Sequence, residues 1–184
     1  MSAEEGWVEV RAYDPLWLGR FESESSAVRA ALVEYAVAVE HFGSTSVPDM
    51  AAKPIVDILV GTTAAGVPEN VHSALALLGY EYLGEDGRRP GRFFWRKRGQ
   101  YAFNVSVVPV NGEMWNDNLA LRDFLRAHSD WVQRYADVKR AAAKASPNSM
   151  LGYQEGKRAF IEEMKIAARA WVASKPAQRG LMQQ

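Results

Sequence analysis

The sequence predicts an α/β or α+β fold, in which a small mixed β-sheet is flanked by helices and followed by a helical C-terminal block. Two patterns predict it. Short apolar or alternating segments, typical of strands, recur up to residue 110 with helical segments between them. Beyond residue 119 the spacing of apolar residues is helical. We expect a single domain over residues 1–175 and a disordered tail at 176–184.

The N-terminal part predicts three strands and two helices. Residues 7–13 alternate apolar and polar side chains, as a half-buried strand does. Asp14 and Pro15 have the pattern of an N-cap and a first helical residue, which predicts a helix to about Tyr35. The other predicted elements are strands at 37–42 and 53–60 and a helix at 68–78, which Gly79 ends.

The second part predicts a hairpin and then helices. A short strand is expected at 80–83 and a turn-rich loop at 85–91. Strands at 92–97 and 101–110 form a hairpin around 98–100. Helices are expected at 119–127, at 130–144 and, after a break at 146–148, as one long helix at 149–174.

Composition excludes several functional classes. There are 22 basic and 22 acidic side chains, so no general attraction to nucleic acid or to a membrane is expected. Cysteine is absent, which rules out thiolate chemistry and disulfides. The first ten residues do not resemble a signal peptide, and no apolar run is long enough to span a bilayer. A cytoplasmic protein is therefore expected, and its oligomeric state is not indicated.

Asp57 stands in the apolar segment 53–60, where an ionised carboxylate is costly to bury without a partner. Just upstream, the loop Gly43-Ser44-Thr45-Ser46 combines small residues with three hydroxyls and can wrap phosphate oxygens. Together the two features suggest phosphate on one side and a divalent ion at Asp57 on the other. The alternative is an ordinary loop, with Asp57 in a structural ion pair with Lys53 or an arginine.

Several longer motifs accompany these residues, and they cover most of the chain. They are Tyr13-Asp14-Pro15-Leu16-Trp17, Glu40-His41-Phe42-Gly43-Ser44-Thr45-Ser46-Val47-Pro48, Ala52-Lys53-Pro54-Ile55-Val56-Asp57-Ile58-Leu59-Val60, Leu121-Arg122-Asp123-Phe124-Leu125-Arg126, and Tyr135, Lys139, Tyr153 and Gly156-Lys157. With these motifs the chain resembles the GrpB family, which is assigned to the nucleotidyltransferase superfamily that includes DNA polymerase beta.

The resemblance implies a mixed sheet in which the Gly-Ser turn holds nucleotide phosphates and strand carboxylates, spaced Asp-x-Asp, bind two divalent ions. Here Leu59 replaces the second carboxylate, and the later strand, often His-Leu-His in the family, reads Asn104-Val105-Ser106. One Mg²⁺ ion at Asp57, shared with the substrate phosphates, is then one expectation. A site that relies on lysine and arginine instead of metal is the other.

The remaining candidates are basic or polar. Strand alternation places Arg92, Phe94 and Arg96 on one face, where the arginines can reach a triphosphate or an acidic substrate. Lys157 can point into the phosphate cleft or lie on the surface. The candidate catalytic residues are Asp57, Lys53 and His41, with Asp57 also the candidate metal ligand. The candidate phosphate-binding residues are Gly43, Ser44, Thr45, Ser46, Arg92, Arg96 and Lys157. The candidate substrate-cleft residues are Asn104, Ser106 and Arg122, the last with an ion pair to Asp123 or Asp130 as its default role.

Three functions remain open at this level. The first is an enzyme that binds ATP or another nucleoside triphosphate with Mg²⁺ and transfers a nucleotidyl group to a small-molecule acceptor. The second is an ATP-dependent amide-forming ligase that adenylates a carboxylate. The third is a metal-free small-molecule-binding module, or an enzyme of other chemistry, that keeps the cleft; Leu59, Asn104 and Ser106 favour it.

Overall fold

Strands and helices alternate over the first part of the chain, and helices follow one another thereafter. The computed structural model describes residues 8–64, 66–85 and 90–175. The strands in these ranges are β1 Ala38–Phe42, β2 Ile55–Thr62, β3 Glu81–Glu85, β4 Phe93–Lys97 and β5 Ala102–Pro109. The helices are α1 Leu16–Ala31, α2 Glu69–Leu77, α3 Glu113–Ala127, α4 Ser129–Ala145, α5 Met150–Gly156 and α6 Arg158–Ser174, and Ser44–Ser46 forms a 3₁₀ turn.

The described strands form one mixed sheet, which the sequence predicts, and the structure gives their order as β1-β2-β5-β4-β3. β2 and β5 pair in parallel, and the other neighbouring strands pair antiparallel. The register sets Asp57 beside Asn104 and Leu59 beside Ser106. The predicted hairpin is confirmed, with Arg96 of β4 opposite Asn104 of β5.

The two faces of the sheet have different environments. One face buries Val56, Ile58 and Val60 of β2 with Val105 and Val107 of β5, against α1 and α2. Burial of such aliphatic side chains supplies about 1.5–3 kcal/mol each, so this face is the main stabilising layer.

On the opposite face, a smaller cluster of Leu59, Val108 and Trp115 covers the C-terminal part of the strands. Trp115 of α3 lies so close to Gly61 that a Cβ atom there would be 2.8 Å from its ring. The N-terminal part of the same face carries polar side chains, Asp57 among them, and is the candidate site.

The C-terminal helices form a second core with the segment that follows β1. Phe124 and Leu125 of α3 pack with Met164 of α6, and Val47 and Met50 from the loop after β1 join the same cluster. The Gly43–Ser46 segment is therefore fixed between the sheet and the helical block.

Two predicted elements near the N-terminus differ from the structure. Among residues 8–13 only Arg11 forms a bridge, to Ala52, so the predicted strand is wrong in the part that is described; Trp7 lies outside it. The chain there packs Val8 on Ala142 and Tyr153, which explains the apolar alternation without a sheet. Helix α1 ends at Ala31 rather than near Tyr35 because the backbone turns after Leu32.

Two predicted helices also have different bounds. Helix α3 begins at Glu113 instead of residue 119, since the polar stretch Asn116–Asn118 obscures a turn that is held by packing of Trp115. The long helix predicted at 149–174 is wrong, because α5 ends at Gly156 and α6 begins at Arg158. A Cβ atom on Gly156 would lie 3.0 Å from that of Ala142, so close packing of α5 on α4 accompanies the break.

The predicted tail 176–184 and part of the predicted loop 85–91 lie outside the described residues. Within the described ranges, no helix combines the length and the apolar character needed to cross a membrane.

Candidate functional site

Asp57 lies near the start of β2 and is half-buried on the polar part of the sheet face. Its Oδ1 accepts a hydrogen bond of 2.7 Å from Asn104 Nδ2. Burial raises the pKa of the carboxyl, while the Asn104 bond and the charges of Lys53 and other nearby cations oppose that rise. The carboxylate is thus held in place by a neutral neighbour and faces positive charge.

Four cationic side chains act on this carboxylate. The charges of Lys53, Arg92 and Lys157 oppose the rise that burial causes in the pKa of Asp57. Burial lowers the pKa of Arg96, and the charge of Asp57 opposes that fall. Coulombic interaction between unit charges is substantial at a partly buried site, where water screens less. The surroundings of Asp57 therefore carry an excess of positive charge, as a site for an anion does.

The neutral residues of β5 orient Arg96 of β4 and Arg92, which directly precedes β4. Arg96 Nε donates to Asn104 Oδ1 at 3.2 Å, and Arg92 donates to Ser106 Oγ from Nε at 3.1 Å and from Nη2 at 3.0 Å. The guanidinium carbons lie 4.8 Å and 5.5 Å from the ring centre of Phe94, for Arg92 and Arg96 respectively. The predicted alternation along β4 is confirmed.

The Gly43–Ser46 turn approaches Asp57 from the other side. Gly43 has φ +71° and ψ −170°, a conformation that essentially only glycine adopts, and a Cβ atom there would lie 2.6 Å from Asp57 Oδ2. Ser46 Oγ donates to Gly43 O at 2.6 Å. Thr45 Oγ1 is 3.0 Å from His41 Nε2. Two of the three hydroxyls therefore stabilise the turn itself.

The third hydroxyl, that of Ser44, contacts Lys139 of α4. Lys139 is 1% exposed, and its Nζ donates to Ser44 Oγ at 3.1 Å and to Ala51 O. The amine also lies 4.3 Å from the ring centre of Tyr135. Burial, with the charge of Lys157 second, lowers the pKa of Lys139 to about 6. A buried amine that titrates near neutral pH thus supports the turn.

Tyr153 and Lys157 form a second tyrosine–lysine pair, and Lys53 lies close to it. Lys157, at the junction of α5 and α6, has its Nζ 4.6 Å from the ring centre of Tyr153. Lys53 Nζ lies 5.6 Å from the same ring and 3.3 Å from Met150 Sδ. Burial lowers the pKa of Lys53 and raises that of Tyr153 to about 12.

Sequence reasoning assigned no role to Lys139, Tyr135 or Tyr153. The signal that marks them is a repeated spacing, Tyr135-x-x-x-Lys139 and Tyr153-x-x-x-Lys157. Residues four apart share a helix face. Each pair therefore presents one aromatic ring and one amine to the same side of its helix.

His41 was a candidate catalytic residue, and the structure places it on the opposite face of the sheet from Asp57. It pairs with Ile58 across β1 and β2, and its ring stacks on Phe21 with centres 4.5 Å apart. Burial, followed by the charges of nearby arginines, lowers its pKa to about 4. A neutral His41 bonded to Thr45 supports the turn from behind.

Arg122 was a candidate for the substrate cleft, and it contacts β1 and its own helix. It makes ion pairs with Glu40 at 2.8 Å and with Asp123 at 2.7 Å, and donates to His41 O at 3.0 Å. Arg126, one turn along α3, donates twice to Ser46 O. These arginines attach α3 to β1 and to the end of the turn.

The donor set around Asp57 does not fit a site for two metal ions. Among residues 8–64, 66–85 and 90–175, no three His, Cys, Asp or Glu side chains are grouped so that they could hold an ion. Asn104 and Ser106 bind arginines instead. The residues fit one Mg²⁺ ion, with Asp57 as the protein ligand and phosphate oxygens as others, because Mg²⁺ commonly takes few protein ligands.

Fold and site define an α/β protein with a mixed sheet and a group of cationic side chains around one strand carboxylate. The chain belongs to the GrpB family, since the family model described as GrpB protein matches residues 7–166. This confirms the resemblance drawn from the sequence motifs.

Relatives and a solved structure agree with this assignment. The chain is 32% identical over 178 residues to the UPF0157 protein PA4798 of Pseudomonas aeruginosa, covering 95% of this chain and 72% of that protein. It is 29% identical over 164 residues to the UPF0157 protein YqkA of Bacillus subtilis, covering 89% of this chain but only 48% of that protein. The chain therefore spans about half the length of that relative.

The crystal structure of the conserved protein GrpB from Enterococcus faecalis aligns with a TM-score of 0.80 and 34% identity, over 89% of this chain and 99% of that chain. The mixed α/β fold predicted from the sequence is confirmed by this match.

Proposed function

We propose that the protein binds a nucleoside triphosphate together with Mg²⁺ and transfers its nucleotidyl group to a small-molecule acceptor. One observation carries the proposal: a single carboxylate, Asp57, lies against a glycine turn and within the electrostatic reach of two lysines, Lys53 and Lys157. An excess of positive charge suits a polyphosphate, and the carboxylate suits the ion that such a substrate brings with it.

The phosphates are assigned to the side of the cleft that the turn forms. Gly43 allows close approach of the backbone, and Ser44 presents a hydroxyl that Lys139 orients. Lys53 and Lys157 both lie close to the ring of Tyr153. Lysine is a common phosphate ligand that acts as a point charge.

Asp57 is assigned as the protein ligand of the Mg²⁺ ion that arrives with the nucleotide. When bound, the ion supplies charge stabilisation at the phosphoryl oxygens. Asn104 keeps the carboxylate oriented through its bond to Oδ1. This arrangement needs no second protein carboxylate, which agrees with Leu59 at the next inward-facing position of β2.

In the proposed reaction, an acceptor oxygen attacks the α-phosphorus as pyrophosphate leaves. Lys53 and Lys157 stabilise the negative charge that develops on the leaving phosphates, which preorganised cations do most effectively at a partly buried site. His41, bonded to Thr45 behind the turn, holds the turn and takes no part in proton transfer.

Calorimetric titration with ATP, CTP, GTP and UTP, with and without Mg²⁺, tests the proposal. We expect Mg²⁺-dependent binding of at least one nucleotide, weakened at least about tenfold in Asp57→Asn, which keeps the size of the side chain and its acceptor for Asn104. Asp137→Asn is the matched control, because Asp137 is exposed and pairs with Arg140 at the surface. Absence of binding by all four nucleotides would contradict the proposal.

A metal-free binding module is a second candidate, favoured by one observation. Asn104 and Ser106 accept hydrogen bonds from Arg96 and Arg92. These two positions therefore bind the protein's own arginine side chains instead of a metal ion. Nucleotide binding that is equally strong without Mg²⁺ and unchanged in Asp57→Asn would favour this candidate.

A further inference from the structure

Transfer to a hydroxyl group needs a base that removes the hydroxyl proton as the oxygen attacks phosphorus. The strand position beside Asp57 is occupied by Asn104, an amide that does not act as a base. Asp57 itself is committed to the Mg²⁺ of the nucleotide in the function proposed above. A hydroxyl acceptor would therefore need another group on this face of the sheet to accept its proton.

Glu40, Glu81 and His41 are not placed to act as this base. Glu40 of β1 is ion-paired with Arg122. Glu81 lies opposite Arg96 on β3, three strand spacings and about 14 Å from Asp57. His41 faces the other side of the sheet and is buried against Phe21. An acceptor whose attacking oxygen is already ionised needs none of these groups.

Lys139 and Lys53 have other contacts and are not assigned as the base. Lys139 lies behind the Gly43–Ser46 turn, with its amine directed at Ser44 Oγ and Ala51 O. Lys53 contacts Met150 and lies over Tyr153, on the side assigned to the phosphates. On the side of β5 and β4, the positive charge comes from Arg96 and from Arg92, which directly precedes β4.

Arg96 and Arg92 form an anion cradle on that side. Each is oriented from β5, Arg96 by Asn104 and Arg92 by Ser106, and both flank the half-buried ring of Phe94. A guanidinium group matches a carboxylate in shape and can bind it through two parallel hydrogen bonds. The ring between them offers apolar contact to the body of a small organic molecule.

We propose that the acceptor is a small organic acid whose ionised carboxylate, bound at the Arg92–Phe94–Arg96 cradle, is itself the nucleophile. The inference rests on the nucleotidyl transfer proposed above and names its acceptor class. A carboxylate oxygen forms a bond to the α-phosphorus, and the bond from that phosphorus to the β-bridging oxygen breaks. The electron pair leaves with pyrophosphate, and no proton has to move. The product is a mixed anhydride of the acid and the nucleoside monophosphate.

Benzoate is the probe, because it combines a planar carboxylate with a ring that can pack on Phe94; benzyl alcohol is its uncharged match. Ligand-observed NMR is recorded with protein saturated with the nucleotide that binds most tightly. We expect benzoate, and not benzyl alcohol, to bind. Arg96→Gln should weaken benzoate binding about tenfold or more, while Arg169→Gln, an exposed arginine of α6 that pairs with Glu113, should leave it unchanged.

The outcomes distinguish failure of the nucleotidyl-transfer proposal from failure of the acceptor proposal. If the wild-type protein binds no nucleotide in calorimetry, the nucleotidyl-transfer proposal fails, and this one fails with it. If nucleotide binds and benzoate does not, or if benzyl alcohol binds equally well, only the acceptor class is overturned. If Arg96→Gln loses nucleotide and benzoate together, Arg96 serves the phosphates, and the cradle is again overturned. Loss of benzoate with nucleotide binding retained within about threefold supports the inference.

Discussion

Gly43 and Asp57 are packed so closely that a single methyl group cannot be added between them: a Cβ atom on Gly43 would lie 2.6 Å from Asp57 Oδ2. The glycine also has φ +71° and ψ −170°. Both the backbone conformation and the contact therefore require glycine at this position. The turn and the carboxylate form one unit, because neither can shift without the other.

Gly43→Ala should destabilise the fold by roughly 1–3 kcal/mol from backbone strain alone, and displacement of Asp57 should weaken nucleotide binding. Urea unfolding measures the first effect and calorimetry the second. Gly19→Ala is the control, because Gly19 lies in helix α1 with open space around its Cα. That variant should gain about 0.5–1 kcal/mol. Equal stability of the two variants would contradict the predicted contact.

Asn104→Asp should create a metal-binding pair of carboxylates, formed by Asp57 and the new side chain at position 104. A carboxylate at the position of the Asn104 amide, 2.7 Å from Asp57 Oδ1, repels Asp57 unless a cation lies between them. We expect a lower melting temperature in chelator and a larger rise on adding Mg²⁺ than in the wild type. Asn116→Asp, an exposed position on α3, should show neither effect. A Mg²⁺ response equal to that of the wild type would count against the geometry.

Lys139 should make stability rise with pH. Its pKa in the folded protein is about 6, below the unfolded value of 10.5, so the unfolded chain binds more protons between those limits. The wild type should gain up to about 1.4 kcal/mol per pH unit relative to Lys139→Met across that window. Urea unfolding of both proteins at pH 6, 7, 8 and 9 measures the difference. Parallel pH curves for the two proteins would disprove a buried amine of this kind.

His41 should destabilise the protein at acid pH. Its pKa is lowered to about 4, so the neutral ring contributes stability above pH 6.5 that is lost as the pH falls towards 4. Relative to His41→Gln, which cannot titrate, the wild type should lose up to roughly 3 kcal/mol over that range. An NMR titration of the ring gives the midpoint directly. A midpoint near 6.5 would show that the ring is not buried against Phe21.

The strand pattern of the sequence was sufficient to predict the mixed sheet and the hairpin, because residues buried on one or both faces alternate or run together in recognisable ways. The strand at 7–13 was mispredicted since the same alternation arises when Val8 packs on α4 and α5 residues without pairing. The break before Arg158 depends on Gly156 meeting Ala142, a contact between helices that local spacing does not encode.

The sequence named part of the candidate site. Asp57 stands out locally because a carboxylate in an apolar run is unusual, and the Gly43–Ser46 turn was singled out by its position just upstream. The environment of Lys139 could not be predicted in this way, since its contact with Ser44 joins residues 95 positions apart. The placement of His41 on the far face follows from the register of β1 on β2, which motif spacing alone does not determine.

The parallel pairing of β2 with β5 has a consequence for how the protein folds. Asp57 and Asn104 are 47 residues apart and meet only when that pairing closes. Closing a long loop costs chain entropy before any contact rewards it, so such pairings form slowly. A partly folded chain therefore has no ligand site, and any ligand held at Asp57 stabilises the completed sheet alone and slows its unfolding.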